Sequence, residues 1–226
     1  ERAFCDVDVL ILAQLSYFDF GSAVPTIAQH KKSVTLEEID RTADLSAEFA
    51  DKWYGENNRK LWNALLAGRR FRTMRCNYYR ERMEEEQEAQ FGAVTFFPEG
   101  CEPVVAFRGT DDSVVGWKED FNMSFLSPVP SQKDAVRYID TTVQRSEGKL
   151  ILGGHSKGGN LAVYASVFAR PSVKKRIITV YNNDGPGFDS DFVKHPDYLA
   201  ILPKIKSIVP YGSVVGMLLN HDGDYE

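Results

Sequence analysis

The sequence predicts an α/β fold, a mostly parallel sheet flanked by helices behind a helical N-terminal segment, on three observations. Helix-spaced apolar stripes occupy the first 70 residues, β-branched and aromatic runs begin near residue 71, and helical and strand-like segments alternate from residue 131. Such alternation lays crossover helices over the faces of a parallel sheet. At 226 residues and 43% hydrophobic the chain can bury a substantial core, and one domain over 1–226 is expected, with 1–70 as lead-in and 71–226 as sheet core.

Val7, Leu10, Ile11, Leu15 and Phe18 place one apolar stripe on a helix over residues 7–18. A second helix is expected over 35–49, because Thr35 precedes Glu37 and Glu38 as an N-cap does. A third covers 57–66, with Leu61, Trp62 and Leu65 on one face. Strands follow at 72–80 and 91–97, then a turn at Pro98-Glu99-Gly100 and a wholly apolar strand at 103–107. The acidic run Glu84-Glu85-Glu86 between them reads as a solvated loop or edge in preference to an acid/base cluster. The alternating half comprises a helix at 131–146, a strand at 149–153, a helix at 158–168, a strand at 176–182, a helix at 197–202 and a strand at 205–209.

Composition excludes several function classes. A net charge of -5 with mixed signs offers no cationic face for a phosphate backbone, so nucleic acid is not an expected partner. Cys5, Cys76 and Cys101 are odd in number and widely spaced, which indicates neither a disulfide framework nor a zinc site and suits a reducing compartment. No metal or cofactor is expected. No stretch reaches the ~18 apolar residues of a membrane span, and residues 1–6 lack the pattern of a signal peptide, so a cytoplasmic protein without a transmembrane segment is expected. Asp224-Tyr225-Glu226 follows an apolar run at 214–219 without a stop signal, and the natural chain is expected to continue.

The chemistry concentrates at Gly154-His155-Ser156-Lys157-Gly158, between the strand Leu150-Ile151-Leu152-Gly153 and a helix beginning Gly159-Asn160-Leu161-Ala162. Gly-x-Ser-x-Gly between strand and helix is a nucleophile elbow, the signature of the α/β-hydrolase fold. The serine takes unfavourable backbone angles at a sharp turn, and a Cβ at Gly154 or Gly158 would collide with neighbouring elements. The following helix aims its first amides at the site, so the Lys157 N–H can bind the oxyanion formed when Ser156 attacks a carbonyl. The Lys157 side chain would put a cation at that helix start. A mere helix-start turn is the blander alternative, and a phosphate loop fails for want of Gly-x-x-x-x-Gly-Lys-Ser/Thr. His155 is adjacent to Ser156, and neighbours in a tight turn point apart, so it reads as elbow structure and not the base.

A second oxyanion donor is expected from Phe107-Arg108-Gly109-Thr110-Asp111, just after an earlier strand, where Thr110 offers an N–H and a hydroxyl. An ordinary turn, with Asp111 or Asp112 capping a helix, is the alternative.

Val105-Ala106-Phe107-Arg108-Gly109-Thr110, Trp117, Asp120 and the elbow resemble the class 3, fungal-type lipases. The longer strings Phe107 to Asp111, Trp117-Lys118-Glu119-Asp120-Phe121, Gly153 to Ala162 and Asn183-Asp184-Gly185-Pro186-Gly187-Phe188 resemble more strongly the bacterial Mbeg-like hydrolases. The resemblance implies the α/β-hydrolase fold, Ser156 as nucleophile and Thr110 as oxyanion donor, and implies no substrate. Where lipases place the triad Asp, near a Val-Pro pair, this chain has Val209-Pro210-Tyr211-Gly212-Ser213. Asp184, following the strand at 177–181, is the substitute acid, with a turn-forming Asn-Asp-Gly-Pro stretch as its alternative.

Chain order Ser, acid, His leaves His195 and His221 as bases, each with a surface or solvated-turn histidine as the alternative; the resemblance implies a His later still, so a base beyond Glu226 is expected. His195 precedes Pro196 beside a surface helix, and His221 sits in the turn Asn220-His221-Asp222-Gly223. The functional expectation is a serine hydrolase cleaving a carboxylic ester of a small molecule or lipid. Peptidase or thioesterase chemistry uses the same parts, and an inactive hydrolase fold binding a lipid or protein partner is the reading from another class.

Overall fold

In the computed structural model, which describes residues 3–86, 89–111, 113–123, 128–142 and 148–213, the lead-in folds as expected helices with one break. It comprises α1 (Asp6–Leu15), the short β1 (Val34–Thr35), α2 (Leu36–Thr42), α3 (Ser46–Ala50), α4 (Gly55–Ala67) and α5 (Arg69–Arg72). Thr35 caps α2 reciprocally: its hydroxyl accepts the Glu38 N–H at 3.2 Å while the Glu38 carboxylate accepts the Thr35 N–H at 2.7 Å. The helix expected over 35–49 is two helices. Ala43 is extended, and the Asp44 carboxylate accepts the Ser46 N–H at 3.0 Å, a local bond that competes with continuing the helical ladder.

The remainder runs β2 (Arg75–Glu84), β3 (Ala89–Phe97), β4 (Val104–Phe107), α6 (Val114–Met123), α7 (Pro130–Thr142), β5 (Leu150–His155), α8 (Lys157–Phe168), α9 (Pro171–Lys174), β6 (Ile177–Asn183), α10 (Pro196–Ile201) and β7 (Ile205–Ile208). The strands lie in one sheet in sequence order, β1 to β4 antiparallel and β4 to β7 parallel. Phe107 pairs with Gly154, His155 with Asn183, and Asn183 with Ile208, so four consecutive parallel strands end at one edge. The loops after them are therefore brought together, and the segments of Thr110, Ser156 and Asp184 are in those loops.

Strands that advance in one direction through right-handed crossovers put their helices on one face. Period-two alternation then divides the strand residues between two cores. Val105, Phe107, Leu150 and Leu152 pack with Tyr138 of α7, Leu161 of α8 and Ile201 of α10. Val104, Ala106 and Ile151 face the other way, onto Val9 and Leu12 of α1, Leu36 and Ile39 of α2 and Trp62 of α4. The lead-in thus covers the face that the crossovers leave bare. No helix among the described residues is long and apolar enough to cross a membrane.

Trp62 is 1% exposed, packs against Phe18 and Phe20, and donates its indole N–H to Asp40 at 2.7 Å. Trp62→Ala is expected to cost about 3–5 kcal/mol in chemical denaturation, with lead-in and sheet still melting in one transition. A loss below about 1 kcal/mol, or a separate early transition, would show that the lead-in is not integral to the core.

Candidate active site

β5 ends at His155, and Ser156 turns the chain into α8 with φ 55° and ψ -130°. A non-glycine residue so placed costs of order 1–3 kcal/mol and persists only where its surroundings over-determine it. Here the Ser156 N–H donates to Asn183 O at 2.9 Å, the Gly159 N–H closes onto Ser156 O at 2.9 Å, and Asn183 Nδ2 donates to Gly154 O at 3.0 Å. A Cβ on Gly154 would stand 2.2 Å from the Gly158 backbone, and one on Gly158 2.2 Å from Phe107 O. Both glycines are required by close backbone approach. The half-buried Ser156 makes no side-chain cap to α8. The Lys157 N–H opens that helix, where the first amides have no intrahelical acceptor and carry the positive end of the dipole.

The Arg108-Gly109-Thr110 turn forms the facing wall. A Cβ on Gly109 would lie 2.5 Å from His155 O and 1.9 Å from Tyr17 Oη, so this backbone abuts the elbow itself. Arg108, 4% exposed, pins the turn from behind: its N–H donates to Gly92 O at 2.9 Å, its Nε to Ser16 O at 2.8 Å, and its Nη1 pairs with Glu81. Thr110 follows, half-buried, and the structure therefore brings the segment expected to hold the second donor beside Ser156.

The Lys157 side chain does not leave a cation at the helix start. It is fully buried, and its ammonium donates to Gln90 O at 3.0 Å, Gln90 Oε1 at 2.6 Å and Glu119 Oε2 at 3.0 Å. The ion pair satisfies two charges that burial would otherwise penalise heavily.

Asp184 follows β6 with φ 55°, its N–H donating to Ile208 O at 2.8 Å. Its carboxylate accepts a hydrogen bond from the Ser213 hydroxyl, and its negative charge favours the protonated form of the His155 imidazole. Burial holds His155 below its ordinary value against that opposing pull, and its Nδ1 shares a hydrogen bond with Tyr17 Oη at 3.0 Å. His195 is elsewhere. Its Nδ1 accepts the Asp197 N–H at 3.2 Å, capping α10, and its ring packs 5.3 Å from Phe168, at the far end of α8 from Ser156. Twelve helical residues separate the two ends, about 18 Å. His221 and Asp112 lie outside the described residues, as do the side chains of Trp117 and Asp120.

Three residues of this site are not singled out by the sequence. Tyr17 comes from the segment after α1, Gln90 from β3 and Glu119 from α6, the last lying inside the string Trp117 to Phe121. None has the elbow's local signature, because each meets Ser156's neighbourhood only through the fold.

Comparison with known proteins agrees with this architecture. The family model Mbeg1-like matches residues 65–225. No curated protein matches the chain. Among solved structures, M37 lipase superimposes with a TM-score of 0.51 at 14% identity, over 92% of this chain and 68% of its own. That likeness, with the parallel half of the mixed sheet and its flanking helices, establishes a lipase-like α/β-hydrolase fold.

Because the unfolded imidazole takes up its proton at a higher pH than the buried one, protonation of His155 favours unfolding. Its contribution to stability is present above pH 6.5 and is lost as pH falls through the folded midpoint. NMR titration of the imidazole is expected to show a midpoint below 6.5; a midpoint at or above that value would contradict the burial seen here.

Proposed function

The chain belongs to the Mbeg1-like family, and from that premise and the site's geometry we propose that it is a serine hydrolase cleaving a carboxylic ester of a small molecule or lipid. The observation that carries the proposal is the strained Ser156 turn lying against the Gly109 backbone, with the open amide end of α8 on its other side. Strain of this kind persists where it serves a function, and here it presents a hydroxyl between two sets of backbone donors.

In the proposed reaction Ser156 Oγ attacks the ester carbonyl carbon as its proton passes to an imidazole base. The tetrahedral oxyanion is held by the N–H groups of Lys157 and Thr110. Collapse expels the alcohol, which takes the proton from the imidazolium, and water then hydrolyses the acyl-serine by the same steps. Asp184 is the proposed acid, supported by its place at the end of β6 beside the elbow. With His195 at the far end of α8, His221 is the proposed base on chain order. The three cysteines, none of them in a disulfide, favour a cytoplasmic setting.

The full-length protein is expected to be labelled at Ser156 by a fluorophosphonate probe and to turn over p-nitrophenyl esters. Ser156→Ala should abolish labelling and reduce turnover by at least ~10³-fold. Intact folded protein with neither labelling nor turnover would defeat the proposal and favour a binding role for the fold.

Asp184→Asn keeps the shape but not the charge, and is expected to lower kcat by about 10²- to 10⁴-fold with KM little changed. Wild-type kcat in this variant would show that Asp184 only forms a turn.

A further inference from the structure

The buried cation beside the elbow does not face the space where a substrate would lie. Lys157 and Glu119 have fully buried side chains, and both engage Gln90. Glu119 accepts the Gln90 N–H at 3.1 Å and, through its other oxygen, the Ser131 N–H at 2.9 Å. Lys157 donates to the backbone and side-chain oxygens of Gln90. An ammonium can only donate, so the Gln90 amide must present its oxygen to Lys157 and its nitrogen away from it. That nitrogen donates to Gly109 O at 3.3 Å.

The peptide joining Gly109 to Thr110 is planar and trans, so its carbonyl and its N–H point in opposite directions. Whatever fixes the Gly109 carbonyl fixes the direction of the Thr110 N–H. We propose that Gln90, oriented by the Lys157–Glu119 pair, is a positioning residue that aims the Thr110 N–H as the second oxyanion donor. Lys157 then acts on both halves of the hole, through its own N–H on one side and through Gln90 on the other. Replacing a buried ion pair by well-packed apolar residues is often neutral for stability, so stability alone does not call for these charges and a role in alignment is compatible with them. The inference rests on the hydrolase function proposed for Ser156.

Gln90→Glu tests it, because a carboxylate can still accept from Lys157 but cannot donate to Gly109 O. Removal of a whole oxyanion donor lowers kcat by about 10²- to 10³-fold, so misaiming one should lower it by roughly 10- to 100-fold. KM should change by less than about twofold. Affinity for an aryl trifluoromethyl ketone, whose serine adduct carries the oxyanion, should fall by the same factor as kcat/KM. Gln90→Met, which adds no charge, should behave alike and guards against a folding defect in the first variant.

If both variants fold and retain wild-type kcat and ketone affinity, the positioning role is wrong while Ser156 catalysis stands. A loss confined to thermal stability would overturn the positioning role in the same way. Absence of labelling and turnover in the wild type would remove both.

Discussion

The carbonyl of Phe107, at the end of β4, lies so near Gly158 that any side chain there would overlap it, and a side chain on Gly109 would likewise overlap His155 O. Two backbone turns from neighbouring parallel strands thus approach closely, with the Tyr17 hydroxyl at their edge, and the shape of the elbow follows from that approach. Ser156 is forced to a positive φ because the strand must become a helix within the space this contact leaves. The Asn183 carbonyl and the Gly159 N–H then hold it there. The strained residue is bonded on one side to the end of β6 and on the other to the first turn of α8, and the surrounding structure offsets its cost.

The same sheet order explains the helical lead-in. With the four parallel strands in sequence order, the crossover helices share one face, and a sheet with one bare apolar face would not be stable in water. α1 and α4 cover it, burying Leu12 and Trp62. Covering that face also delivers Tyr17 to the rim of the elbow, where its hydroxyl meets His155. A packing requirement on one side of the sheet therefore shapes the polar surroundings at its edge.

How far the sequence foretells all this depends on the range of each interaction. The elbow is legible because its causes lie within five residues: glycine, strand before, helix after. The places of Thr110 and Asp184 are legible as well, each in the loop after a strand, while their roles remain those of the proposal. Gln90 and Glu119 are not legible, since their meeting with Lys157 joins positions 67 and 38 residues away and is decided by rotamers inside the core. For the same reason Lys157 reads from sequence as a cation at the helix start, whereas its side chain turns down into the protein. The helix over 35–49 is misread for a local cause, because Asp44 serves the Ser46 N–H better than it serves a continuous helix.

In the proposed triad the acid would stand in the loop after a neighbouring strand. In the lipases that the sequence resembles, the carboxylate follows the strand corresponding to β7, and here that stretch reads Pro210-Tyr211-Gly212-Ser213. Ser213 nevertheless turns its hydroxyl onto Asp184, which sits after β6 and gives its backbone N–H to Ile208 at the end of β7. Paired strands are about 4.8 Å apart, so moving a carboxylate from one loop to the next displaces it by little more than one side chain's reach. A base approaching over the edge of β7 would meet a carboxylate at nearly the same height above the sheet, oriented by a serine in place of its own strand. In the proposed triad that arrangement would keep the charge where an imidazolium develops, without requiring the aspartate itself to follow the same strand as in those lipases.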